Sequence, residues 1–149
     1  MLRSQVGIRE VGNNRGECEK YLHSVGLGAG NPYCYAGQYW CIDIVRKEKH
    51  PLLKTGLAWA GCADAMKRGL ADGYSPHVGD LIFWRYTDRV NGHVERIVEI
   101  RNDGWVVTVG LNVSIKGEGT ERDGGGNDYK LRNIKHKLGA MRIRAYVGI

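Results

Sequence analysis

The spacing of the apolar residues changes once along this chain, and that change limits the folds open to it. Up to about residue 70 the apolar positions recur at helical intervals; after Gly73 they alternate. Cys18, Tyr21, Leu22 and Val25 stand at i, i+3, i+4 and i+7, which predicts a helix over residues 15–25. Asn14 followed by Glu17 resembles a capping box, and Gly26 suits the helix end. A second helix is expected from about Cys34, with Cys34, Gly37, Cys41, Ile44 and Val45 on one face. A third is expected over 57–70, burying Trp59, Cys62, Ala63, Met66 and Leu70. Pro76-His77-Val78-Gly79-Asp80 then reads as a turn and Leu81-Ile82-Phe83-Trp84 as a strand. Asn91-Gly92 marks another turn, and His93 to Ile100 alternates with Val94, Val98 and Ile100 on one side. Asn102-Asp103-Gly104 is a tight hairpin signal, answered by a strand from Trp105 to Val109. The five glycines of residues 117–126 read as a loop, and a last strand is expected over 141–147. Helices first and antiparallel strands afterwards predict an α+β fold.

The 149 residues suit one domain, 1–149, with an ordinary core. No apolar run approaches the ~20 residues that span a bilayer, and Met1-Leu2-Arg3-Ser4-Gln5 opens no signal peptide. Membrane insertion is not expected, and synthesis in the cytoplasm is. The net charge of +6 is lopsided: residues 1–128 balance, while Lys130, Arg132, Lys135, Lys137, Arg142 and Arg144 follow with no acid after residue 128. Such a segment either forms a solvated strand face or draws the chain to an anionic polymer such as nucleic acid or a bacterial wall. Oligomeric state is not legible.

None of Cys18, Cys34, Cys41 and Cys62 forms a C-x-x-C pair, so free thiols are expected rather than a zinc site. Three of them sit inside apolar helical faces and read as small core residues. Cys34 differs. Pro32 disfavours helix upstream, so the helix should open at Tyr33 or Cys34. There the unsatisfied N–H groups favour a thiolate and can hold a developing oxyanion. A cysteine nucleophile needs a base, normally His from another element. Of His23, His50, His77, His93 and His136, His93 leads because a strand projects it directly after Gly92, and His77 is second.

These residues carry a resemblance. Gly12-Asn13-Asn14-Arg15-Gly16, Glu19 to Leu27 and Asn31-Pro32-Tyr33-Cys34-Tyr35-Ala36-Gly37 look like the opening of the CHAP family, the cysteine, histidine-dependent amidohydrolases/peptidases. Val78 to Trp84 resembles the family's Gly-Asp strand, and Asn91-Gly92-His93-Val94 its Gly-His strand. The resemblance implies a papain-like fold with Cys34 as nucleophile and His93 as base. The family then places an acid and, two residues on, an Asn at the end of the next strand. Here Asn112 matches the Asn, and Gly110 stands where the acid would be. Asn112 is therefore expected to orient the imidazole. Gln38 and Glu95 are weaker candidates for polar support, and they read as a surface amide and a surface acid. Some members bind calcium through an acidic loop before the cysteine. Residues 12–32 hold only Glu17 and Glu19, so no metal and no cofactor is expected.

The expectation is a peptidoglycan hydrolase cutting an amide bond of the wall peptide through a thioester, endolysin-like or delivered into rival cells. Tyr33, Tyr35, Gly28 and Gly30 either shape its groove or simply pack. Two alternatives are a non-catalytic wall-binding domain, given Gly110, and a nucleic-acid-binding domain using the basic segment, which lacks any recognisable motif.

Overall fold

The computed structural model describes residues 1–46, 49–73, 75–86, 92–115, 124–135 and 141–148, with residues 72 and 141–147 described by backbone alone. Three helices come first: α1 (Glu19–Ser24), entered through a 3-10 turn at Gly16–Cys18, then α2 (Cys34–Val45) and α3 (Ala58–Lys67). Six strands follow: β1 (Ala71–Asp72), β2 (Leu81–Tyr86), β3 (Gly92–Ile100), β4 (Trp105–Val113), β5 (Gly126–Asn133) and β6 (Met141–Val147). They form one sheet in the order β1-β6-β2-β3-β4-β5, and every pair is antiparallel. This is the α+β arrangement expected from the change of period at Gly73.

The local signals acted much as their chemistry dictates. Gly16 N–H is capped by the Glu19 carboxylate at 3.0 Å, so Glu19 rather than Asn14 secures the start of α1. Asp103 and Gly104 both adopt positive φ, 58° and 79°, and make the hairpin joining β3 to β4. Asp80 accepts from the His77 N–H at 2.8 Å and closes the turn into β2.

The helices cover one face of the sheet. Leu81, Phe83 and Val94 pack there with Cys34, Tyr35, Tyr39, Ile42, Ala58, Cys62 and Ala65. Ile82, Trp84, Ile97 and Val106 form a separate buried cluster. Two helix faces differ from expectation. In α2, Ile44 and Val45 are exposed, because burial runs around the first two turns of the helix and stops at Ile42. In α3 the buried residues are Ala58, Gly61, Cys62 and Ala65, while Met66 and Leu70 face solvent. Size decided that face rather than hydropathy: a Cβ at Gly61 would collide with the Tyr35 ring, so only a strip of small residues lets α3 approach.

The strands also depart in phase. A bulge between Ile97 and Glu99 shifts β3, so Ile97 is fully buried and Ile100 is exposed. β4 runs on to Val113, carrying Asn112 into the strand, and β5 was not foreseen at all. In β5 the alternation is inverted: Tyr129 and Leu131 face solvent while Arg132 is buried. Arg132, expected in a solvated or wall-seeking cationic segment, is instead buried. Residues 117 and 119 of the expected loop, Asn91, His136 and Lys137 lie outside the described residues.

Candidate active site

Cys34 is the first residue of α2. Tyr33 ahead of it has non-helical dihedrals, and the first helical bond runs from Gly37 N–H to Tyr33 O at 2.8 Å. Pro32 thus does what its ring predicts, and the sulfur sits in the turn whose N–H groups point out of the helix. The helix carrying it is tied to the sheet by Gln38, which is fully buried. Gln38 Nε2 donates to Val109 O at 3.2 Å, and its Oε1 accepts from Arg96 Nε at 3.4 Å. The expectation of a surface amide is therefore overturned: one helical turn from Cys34, Gln38 faces the strands.

His93 is the second residue of β3 and 1% exposed. The Cys34 sulfur lies close enough to its ring to stabilise the imidazolium charge. Nε2 lies 3.1 Å from Glu95 Oε1, which leaves Nδ1 for the sulfur. The structure thus brings Cys34 and His93 together. The other described histidines lie elsewhere: His77 is largely exposed in its turn, His23 is exposed on α1, and His50 stacks on Tyr39 with centroids 3.7 Å apart.

Glu95 is the residue the sequence reading misjudged. It is fully buried, not a surface acid. Strand alternation puts it on the same face as His93, two residues on, and cross-strand pairing sets the two beside Ile82 and Trp84 of β2. Besides His93, its carboxylate accepts from Thr108 Oγ1 at 2.5 Å and from Arg132, Nε at 3.1 Å and Nη2 at 2.5 Å. Its partner across β4 is Gly110. A Cβ at Gly110 would lie 3.2 Å from Glu95 Oε1 and would collide with Val113. The space of the missing family acid is occupied by a carboxylate from the adjoining strand. The signal was present: His-x-Glu on a strand shares a face, and a glycine stands opposite.

Asn112 is buried and adopts φ 58° at the irregularity between Gly110 and Val113. Its Oδ1 and the Glu10 carboxylate both border the place a Cβ at Gly124 would take. Asn112 was expected to orient the imidazole; the carboxylate beside Nε2 is that of Glu95. Tyr33 and Tyr35 are fully buried and pack; Tyr33 OH donates to Glu10 at 3.1 Å.

The electrostatics follow from burial and pairing. Burial by itself would push the His93 imidazolium down, but its bonds to Cys34 and Glu95 outweigh that and raise its pKa to about 10. Burial opposes ionisation of Glu95 too, yet His93 and Arg132 hold its carboxyl well below the usual range. All four cysteines are free. Burial pushes the Cys18 and Cys41 thiols up to about 11 and Cys62 up to about 12, keeping them protonated at neutral pH. Cys34 alone among them meets a histidine. A buried thiol–imidazole pair backed by a carboxylate can exchange one proton between sulfur and ring, which equips it for nucleophilic attack on a carbonyl. Among the described residues no group of three or more His, Cys, Asp or Glu could hold a metal ion, and no helix is long and apolar enough to cross a membrane.

Comparison with known families adds one finding. The model of the CHAP domain matches residues 26–112, over half of the chain, and that span includes Cys34, His93 and Glu95. No curated protein matches the chain.

Proposed function

The chain belongs to the CHAP family, a papain-like α+β group of cysteine, histidine-dependent amidohydrolases/peptidases acting on peptidoglycan, and from that premise we propose that it cuts an amide bond of the wall peptide through a thioester on Cys34. The observation that carries the reading is the His93 ring held between the Cys34 thiol and the Glu95 carboxylate.

Cys34 passes its proton to His93, forming a thiolate–imidazolium pair. The thiolate attacks the amide carbonyl carbon, and the oxygen gathers negative charge beside the N–H groups at the start of α2. As the C–N bond breaks, the His93 imidazolium gives its proton to the leaving amine. The acyl group stays on Cys34 as a thioester. Neutral His93 then takes a proton from water, the hydroxide oxygen bonds the thioester carbon, and the C–S bond breaks to free the acid and restore the ion pair. Glu95 fixes the ring and stabilises its charged form, the orienting role that the resemblance gave to Asn112. The thiolate–imidazolium pair forms inside a site where water competes little for either charge.

Gly110 was the ground for a non-catalytic wall-binding reading, and Glu95 beside it removes that ground. The nucleic-acid reading loses support because Arg132 is spent on Glu95 and Lys130 Nζ on the Ser114 carbonyl. We assign the site of action to the bacterial wall, reached by release or delivery from the cytoplasm. Digestion of purified sacculi, with mass spectrometry of the fragments, tests the reading. The parent should release new amine and carboxyl termini at one bond type, and Cys34→Ala should release none; equal release by the two would refute it.

A further inference from the structure

Resting on that hydrolase reading, we propose that Arg132 is a positioning residue of the site, clamping Glu95 so that the carboxylate absent from position 110 is supplied from the histidine's own strand. Arg132 lies on β5, two strands from His93, and pairs with Val106 on β4. From there its guanidinium reaches across β4 to Glu95, with Nε and Nη2 both on the carboxylate. Thr108 adds its hydroxyl from β4, and His93 Nε2 completes the set. A carboxylate offers about four lone-pair sites, and these donors use them, so Glu95 has no freedom to turn away from the ring. The guanidinium carbon stands 6.0 Å from the Trp84 ring centroid, and that ring is 6.2 Å from His93. Trp84, itself buried, lies beside the cluster from β2.

Charge balance gives the clamp its chemical purpose. Arg132 and Glu95 cancel, so transfer of a proton from Cys34 to His93 creates one ion pair against a neutral background. Without Arg132 the buried carboxylate is an uncompensated negative charge and binds a proton more readily. The charged and titratable groups facing it are His93 from β3 and Arg132 from β5, with Cys34 from α2 acting through the ring. The acid side of the activity profile therefore responds to the guanidinium, which favours the ionised forms of the groups around it.

The test is kcat/KM against pH for the parent, Arg132→Gln and Arg132→Lys, using soluble wall peptide as substrate. Arg132→Gln should move the acid limb up by about one pH unit or more, with a smaller loss at the optimum, and Arg132→Lys should return the limb toward the parent's position. If Arg132→Gln does not fold, Thr108→Val removes one donor and should move the same limb in the same direction. Profiles whose acid limbs superimpose on the parent's, merely lowered at every pH, would overturn the proposal. A second readout does not depend on hydrolysis. The His93 ring N–H signal in proton NMR should persist to lower pH in the parent than in Arg132→Gln. Identical persistence would overturn the clamp even if the parent proved to hydrolyse nothing.

Discussion

Gly110 and Glu95 face each other across β4 and β3, and the Glu95 carboxylate lies 3.2 Å from the place where a Cβ on Gly110 would be. A backbone without a side chain on one strand makes room for the acid on the next. Gly110→Ala would drive its methyl into Val113 and crowd Glu95. Overpacking of this kind costs about 1–3 kcal/mol, and the expected outcome is a urea midpoint lowered to match. Val113→Ala in the same chain should recover part of it, which a double-mutant cycle measures.

Replacing the carboxylate by an isosteric amide separates charge from shape. Glu95→Gln keeps a group beside His93 Nε2 but removes the anion that helps raise the imidazolium pKa to about 10. The alkaline limb of kcat/KM should therefore fall by more than about one pH unit, narrowing the profile from that side. An alkaline limb left in place would mean that Glu95 does not hold the proton on His93.

Stability should track the same pair. His93 has a folded pKa above its ordinary 6.5, so its contribution is complete below pH 6.5 and fades as pH rises toward about 10. Glu95 is depressed from 4.5, so its contribution is complete above that value and is lost as pH falls below it. Melting temperature should be highest between these two ordinary values. It should decline between about pH 6.5 and about pH 10, and His93→Gln should flatten that decline.

The basic segment yields a separate expectation. Lys130 and Arg132 have internal partners, so attraction to an anionic wall falls to Lys135, Lys137, Arg142 and Arg144. Neutralising these four should weaken sedimentation with sacculi at low salt and matter much less at high salt. A salt response identical to the parent's would place wall affinity elsewhere.

The start of α2, the hairpin at Asp103-Gly104 and the meeting of Cys34 with His93 were legible, because Pro, Gly and strand alternation act locally. Glu95 and Arg132 were not. Each is a charged residue on an alternating strand, and sequence patterns assign such residues to water. Only the pairing of β3 with β4 and of β4 with β5 brings their charges together and makes burial tolerable. The same holds for Gln38, whose amide is satisfied by groups 58 and 71 residues away. The α3 face was misread because closeness of approach to Tyr35, not apolarity, chose its residues.

His93 and Glu95 are joined through a single intervening residue on β3. Interstrand slip therefore leaves their mutual alignment untouched, whereas a base and an orienting group on separate strands would drift apart with every breathing motion of the ladder. Loosening of the sheet by heat or pressure acts instead on the grip from β4 and β5. Losing that grip frees the Glu95 carboxylate to turn, while β3 still holds both residues on one face.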